Sequence, residues 1–313
     1  MSEAKDPVTL PPSSGFFSRG RGIRMTGYVG LLLFAFASVF AAESPPPADL
    51  FAYDKTAPLN VQEAGRETRG AALVRDLTFT PAGKPVKAYL VSPATGSGPH
   101  AAILYVHWLG DPKTTNRTQF LDEAVTLAGR GVVSLLVEGM WAEPGWYKNR
   151  IPEEDYAHAI RQVIELRRAM DLLLAQPGID PTRVALVGHD FGAMYGMMAE
   201  ALDRRAKTCV FMAPTPHFVD WFLFRQQPKD LESYKAQLAT IDPVLFVGKL
   251  APAPVFFQFA SRDFYVTAEE AAEFYAAAGP RKQMATYDAD HGLHPPEVAA
   301  DRVAWLVREL GLK

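Results

Sequence analysis

Cysteine is almost absent. Cys209 is the single one in 313 residues, so no internal disulfide can form and no Cys-rich zinc site can be assembled. An excess of one charge is lacking too: the formal net charge is -3, which leaves no general basic surface for a nucleic acid backbone. The uncharged run at 27–40 is short for a transmembrane helix, so no membrane contact is expected of the mature chain. No glycine-rich phosphate loop follows the first strand-like runs, so no nucleotide cofactor is expected, and no resident metal either. What is present is ordinary for a globular protein: 48% hydrophobic and 21% charged residues.

The N-terminus reads as a leader. Arg19, Arg21 and Arg24 precede the uncharged run containing Leu31-Leu32-Leu33-Phe34, and Val39-Phe40-Ala41 supplies small residues before Glu43. A basic region, a short apolar region and a small-residue cleavage site make a secretory signal over 1–42. An uncleaved anchor is the other reading, and a start at Met25 would discard the arginines. Cleavage would remove four basic and two acidic residues, leaving a net charge of -5. A periplasmic or secreted protein with one cysteine must be held by its core.

Residues 43–70, rich in Pro, Ala and polar side chains, read as an arm or linker. Strand-like runs follow at 72–78, 86–91, 101–106, 132–137, 184–187, 208–212, 255–259 and 284–287. Helical patterns lie between them. Ile160, Val163, Leu166, Met170, Leu173 and Leu174 form an apolar stripe that Gln176-Pro177-Gly178 ends. Further helices are expected at 118–130, 193–202, 268–278 and 297–310. Repeated strand–helix units imply an α/β fold, an eight-stranded mostly parallel sheet covered on both faces. One domain over 71–313 accounts for the length, with 214–250 as a partial lid.

The chemistry concentrates at Val187-Gly188-His189-Asp190-Phe191-Gly192-Ala193, where a strand runs through G-x-D-x-G into a helix. That is the geometry of a nucleophile elbow. With His107-Trp108-Leu109-Gly110, Ser261-Arg262-Asp263 and Asp290-His291-Gly292 in the same order along the chain, the sequence resembles the α/β-hydrolase superfamily, most closely its dienelactone hydrolase branch. The resemblance implies Asp190 as nucleophile, His291 as base and Asp263 as the acid orienting it. It also implies an oxyanion hole from the backbone N–H groups of Leu109 and Phe191. Glu138 and Asp220 are reserve acids, and His107 and His189 read as structural. Trp108, Glu138, Tyr147 and Trp221 are candidates for the substrate pocket. His291 has a competing reading as a surface residue or, with Asp288, Asp290 and His294, as part of a metal-binding loop.

The dienelactone hydrolase branch carries Cys or Ser at the elbow, and this chain carries Asp. A carboxylate attacking an ester would give a reactive anhydride, whereas attack on a saturated carbon gives an ordinary ester. The segment Gly188-His189-Asp190-Phe191-Gly192 is similar to the elbow of epoxide hydrolases and haloalkane dehalogenases. The first use two lid tyrosines, yet Tyr234 is the only tyrosine in 214–250, leaving Tyr147 or Tyr195 as substitutes. The second usually place Trp after the nucleophile, where Phe191 stands, leaving Trp108 to offer an indole N–H. The leading expectation is a hydrolase opening epoxides or displacing halide from a small-molecule substrate through an alkyl-enzyme ester. The alternatives are a dienelactone-hydrolase-like esterase or lactonase with Asp190 as general base, and a non-catalytic binding homologue.

Overall fold

Alternating strands and helices organise the computed structural model, which describes residues 48–313 apart from 112, 114 and 115; the leader at 1–42 lies outside the described residues. Nine strands are β1 (Gln62–Arg69), β2 (Ala72–Phe79), β3 (Val86–Pro93), β4 (His100–Val106), β5 (Val132–Val137), β6 (Ile179–His189), β7 (Thr208–Met212), β8 (Val255–Ala260) and β9 (Lys282–Tyr287). They form one sheet in the order β1-β2-β3-β5-β4-β6-β7-β8-β9. The first three strands pair antiparallel, and β3 pairs antiparallel with β5; every pairing from β5 to β9 is parallel.

All eight expected strands are present, and β1 is an addition. It lies within the stretch read as a linker because Gln62–Arg69 is almost wholly polar and exposed, so no apolar alternation marks it. Backbone bonds to β2 create the strand, and its charged side chains suit an open sheet edge. The rest of the arm is also tied down. Phe51 is fully buried, and Arg167 donates to its carbonyl at 2.6 Å.

The helices are α1 (Leu121–Ala128), α2 (Trp146–Asn149), α3 (Asp155–Leu174), α4 (Phe191–Asp203), α5 (Phe218–Phe222), α6 (Leu231–Ala239), α7 (Val244–Val247), α8 (Ala268–Ala277) and α9 (Pro296–Glu309). None of them is long and apolar enough to cross a membrane. Strand β5 is buried at every position, and β4 at every position after His100, as expected of central strands covered on both faces. The α3 stripe Val163, Leu166, Met170 and Leu173 faces that core. Cys209 is buried within β7. The region 214–250 is built from α5, α6 and α7, joined by turns.

Candidate active site

The loops leaving the carboxyl ends of β4, β6, β8 and β9 meet above the sheet, where open α/β sheets hold their ligands. At the end of β6 the chain turns sharply into α4. Asp190 takes φ +54° and ψ -120° there, a strained conformation for a residue with a Cβ. Two glycines make room for the turn. A Cβ on Gly188 would lie 2.4 Å from the Gly192 carbonyl oxygen, and one on Gly192 would lie 2.3 Å from that of Val106. The Asp190 N–H is spent on the Met212 carbonyl at 2.8 Å. Its side chain therefore projects from the turn, with no solvent exposure.

Three predicted residues converge. His291 Nδ1 lies 2.8 Å from Asp263 Oδ2, and His291 Nε2 lies 4.0 Å from Asp190 Oδ2. The other Asp263 oxygen accepts the N–H groups of Tyr265 and Val266 at 2.8 and 3.1 Å. With both its oxygens engaged, Asp263 holds the Nδ1 proton of His291 and turns Nε2 toward Asp190. Asp190 Oδ2 accepts the Leu109 N–H at 2.9 Å, and the Phe191 N–H also favours the carboxylate. Asp190 Oδ1 and His291 Nε2 are buried with no hydrogen-bond partner among the described residues.

Burial pushes the Asp190 carboxyl up, against the pull of His291 and the two backbone donors. Burial also opposes charge on His291, but Asp190 and Asp263 outweigh it and raise the imidazole to about 9. Each group of the pair thus favours the charged form of the other, while burial opposes both charges.

A cavity of about 510 Å³ opens over this group, lined by Trp108, Leu109, Tyr147, Trp221, Tyr265 and His291 among others. Phe191 sits beneath it with Trp141, Trp146 and Trp221 ring centroids within 5.6 Å. The walls are largely aromatic, with Glu143, Lys148 and Arg225 adding charged groups. Trp221 Nε1 and the Tyr195 hydroxyl are buried and lack partners among the described residues. The Tyr147 hydroxyl, in contrast, donates to the Trp221 carbonyl, and that of Tyr234 donates to Asp155 at 2.6 Å.

Glu138, expected in the substrate pocket, does not line this cavity. It lines a separate polar cleft, where Arg117 lies 3.4 Å away and attracts its carboxylate. Asp220 stands in the lid near His217 and Glu270, and Asp263 holds the place beside His291. Tyr265 and Gln119 are additions. Tyr265 follows Asp263 closely and stacks on Trp221 at 4.9 Å, a proximity that the acid motif could have suggested. Nothing in the sequence marked Gln119.

The alpha/beta hydrolase family model matches residues 124–310, more than half of the chain. In fold, the chain is similar to an acetyl xylan esterase from Paenibacillus sp. R4: the TM-score is 0.66 at 17% identity, covering 80% of this chain and 89% of that one. It is similar also to acetyl xylan esterase 1 from Thermoanaerobacterium sp. JW/SL YS485, with a TM-score of 0.64 at 16% identity over 85% and 95% of the two chains. A dienelactone-hydrolase-like protein from Klebsiella pneumoniae gives 0.58 at 15% identity over 77% and 99%. By sequence, polyketide transferase ATR5 of Stachybotrys chlorohalonatus is 32% identical over 100 residues, 31% of this chain. The chain spans about a third (32%) of that curated relative's length. An aspartate elbow, a histidine and a second aspartate on this sheet agree with the family match: the chain belongs to the alpha/beta hydrolase family.

Proposed function

We propose that this hydrolase uses Asp190 as a nucleophile on a saturated, electrophilic carbon, opening an epoxide or displacing a halide through an alkyl-enzyme ester. The observation that carries the reading is the split environment of the Asp190 carboxylate. Oδ2 already occupies the backbone donor of Leu109 at 2.9 Å, while Oδ1 has no partner among the described residues. In acyl transfer those donors would wait for the substrate's carbonyl oxygen. Here the enzyme's own oxygen fills them, which disfavours attack on an ester and suits attack by Oδ1 on carbon.

The two steps balance as follows. Oδ1 forms a bond to carbon as the carbon–halogen or carbon–oxygen bond breaks, and the electron pair leaves with the halide or the alkoxide. Trp221 Nε1–H, buried and without a partner, is the group we assign to meet that developing charge. Esterification then removes the negative charge of Asp190, one of the two that raise His291. Any proton on His291 Nε2 then passes to the alkoxide formed from an epoxide, or to solvent after halide loss, and leaves the imidazole free to act as base. His291 Nε2 takes a proton from water, the hydroxide adds to the Asp190 carboxyl carbon, and Oδ2 carries the charge against Leu109 and Phe191. Collapse breaks the bond from that carbon to Oδ1, and His291 returns its proton to the departing alcohol.

His291→Gln tests the reading. With styrene oxide or a 1-haloalkane as probe, this variant should accumulate protein heavier by the alkyl group, on the peptide containing Asp190. If no adduct forms while the wild type turns over the same probe, the ester route is lost. Label-free hydrolysis of an ester panel that depends on Asp190 would favour the general-base esterase instead. The leader at 1–42 supports export, and fractionation of expressing cells tests it.

A further inference from the structure

We infer that Gln119 and His189 are positioning residues that fix the oxyanion loop, the elbow and the base loop in one hydrogen-bonded chain. The inference rests on the Asp190 reading only for what is being positioned; the chain itself stands on geometry. The Trp108 N–H lies 2.9 Å from Gln119 Oε1, Gln119 Nε2 lies 2.7 Å from His189 Nδ1, and His189 Nε2 lies 2.9 Å from the His291 carbonyl oxygen.

Both ends dictate the same proton positions. A backbone N–H only donates, so the oxygen of Gln119 faces Trp108 and its amide nitrogen faces His189. A backbone carbonyl only accepts, so His189 carries its proton on Nε2 and Nδ1 is the acceptor that Gln119 needs. Each donor in the chain meets one acceptor. His189 is fully buried, Trp108 stacks on it at 5.1 Å and 6°, and burial holds the ring neutral. The charged groups that act on it are His291, His294 and Arg302, all of which disfavour an imidazolium. A second histidine, kept neutral by burial, faces the other main-chain group of Trp108: His107 Nε2 accepts from the Gly139 N–H at 3.0 Å, and Nδ1 lies 2.8 Å from the Trp108 carbonyl oxygen and 3.1 Å from Trp141 Nε1. Both main-chain polar groups of Trp108 are thus held, its N–H by Gln119 and its carbonyl by His107. The Leu109 N–H therefore points at Asp190 by construction, and the His291 backbone is held to the elbow.

Gln119→Glu tests this, because a carboxylate keeps the acceptor for Trp108 but can face Nδ1 only while the pair shares a proton. With styrene oxide as probe, kcat should match the wild type at low pH and fall about tenfold or more above the pH at which that proton leaves, with KM little changed. Nitrogen NMR of the wild type should show His189 protonated on Nε2 and not on Nδ1 at every pH at which the protein is folded. Gln119→Met, which removes both bonds without a charge, should lower kcat at all pH values while the His291 carbonyl keeps the His189 proton on Nε2. An equal loss at every pH for Gln119→Glu, no loss for either variant, or a wild-type His189 protonated on Nδ1 would overturn the inference. Should Gln119→Glu not fold, the kcat of Gln119→Met decides, a loss with KM little changed supporting the inference and no loss overturning it. Should styrene oxide never alkylate Asp190, the proposed function fails while the nitrogen spectrum still reads the chain.

Discussion

Asp190 is held at the one place where its backbone is strained and its carboxylate is dry. Its two oxygens have different neighbours, and that asymmetry gives the site its direction. Replacement of the orienting acid is the simplest probe: Asp263→Asn offers an amide N–H to His291 Nδ1, which already carries a proton. The imidazole must then flip its tautomer, and kcat should fall by about 10²–10⁴-fold with KM nearly unchanged. The pH dependence has two signs. Alkylation needs the ionised Asp190, so its rate should fall on acidification through a carboxyl pKa that burial has raised. Hydrolysis of the ester needs neutral His291, so acid should also prolong the intermediate. Rapid quenching and protein mass spectrometry at several pH values separate the two. Gly192→Ala places a Cβ 2.3 Å from a backbone oxygen of β4. Since no flexible side chain can yield, it should cost at least about 2 kcal/mol in urea unfolding.

At the scale of elements, the site depends on how the segment 214–250 is clamped to the elements around it. Arg150, just after α2, pairs with Asp155 at the start of α3 and donates to the Phe222 carbonyl at the end of α5. Both side chains of the ion pair are buried. Arg150→Met would strand a buried carboxylate, a loss of about 3–5 kcal/mol, and would free the helix that carries Trp221. A larger KM should accompany the lower stability. A second clamp joins the lid to α8. His217 meets Asp242 at 2.8 Å and Glu273 at 3.2 Å, and the hydrogen bond to Asp242, helped by both charges, raises it to about 9 against burial. Because the folded pKa lies above the unfolded one, this stabilisation is full below the unfolded value of about 6.5. It is lost as pH rises through about 9. His217→Ala should therefore narrow its stability gap from the wild type as pH increases over that window, measured by thermal unfolding.

Across the whole molecule, the sheet was legible in the sequence wherever burial dictated it. Runs such as 132–137 and 101–106 are apolar because central parallel strands are covered on both faces. The polar edge strand β1 escaped because its pairing comes from backbone groups, which leave no side-chain pattern. The three residues around His291 were legible through the order of their motifs along the chain. Gln119 was not, since an amide reaching 70 positions along the chain to His189 has no local signature. Glu138 misled for a related reason: the end of a central strand points toward the active face, but Arg117 draws its carboxylate into a neighbouring cleft.

The central claim is that the oxygen delivered to carbon comes from Asp190 and is replaced from water. A single turnover of styrene oxide in heavy-oxygen water, with enzyme in excess, measures this directly. The account predicts label in the peptide containing Asp190 and ordinary oxygen in the newly formed product hydroxyl. Label in the product with none in Asp190 would contradict it.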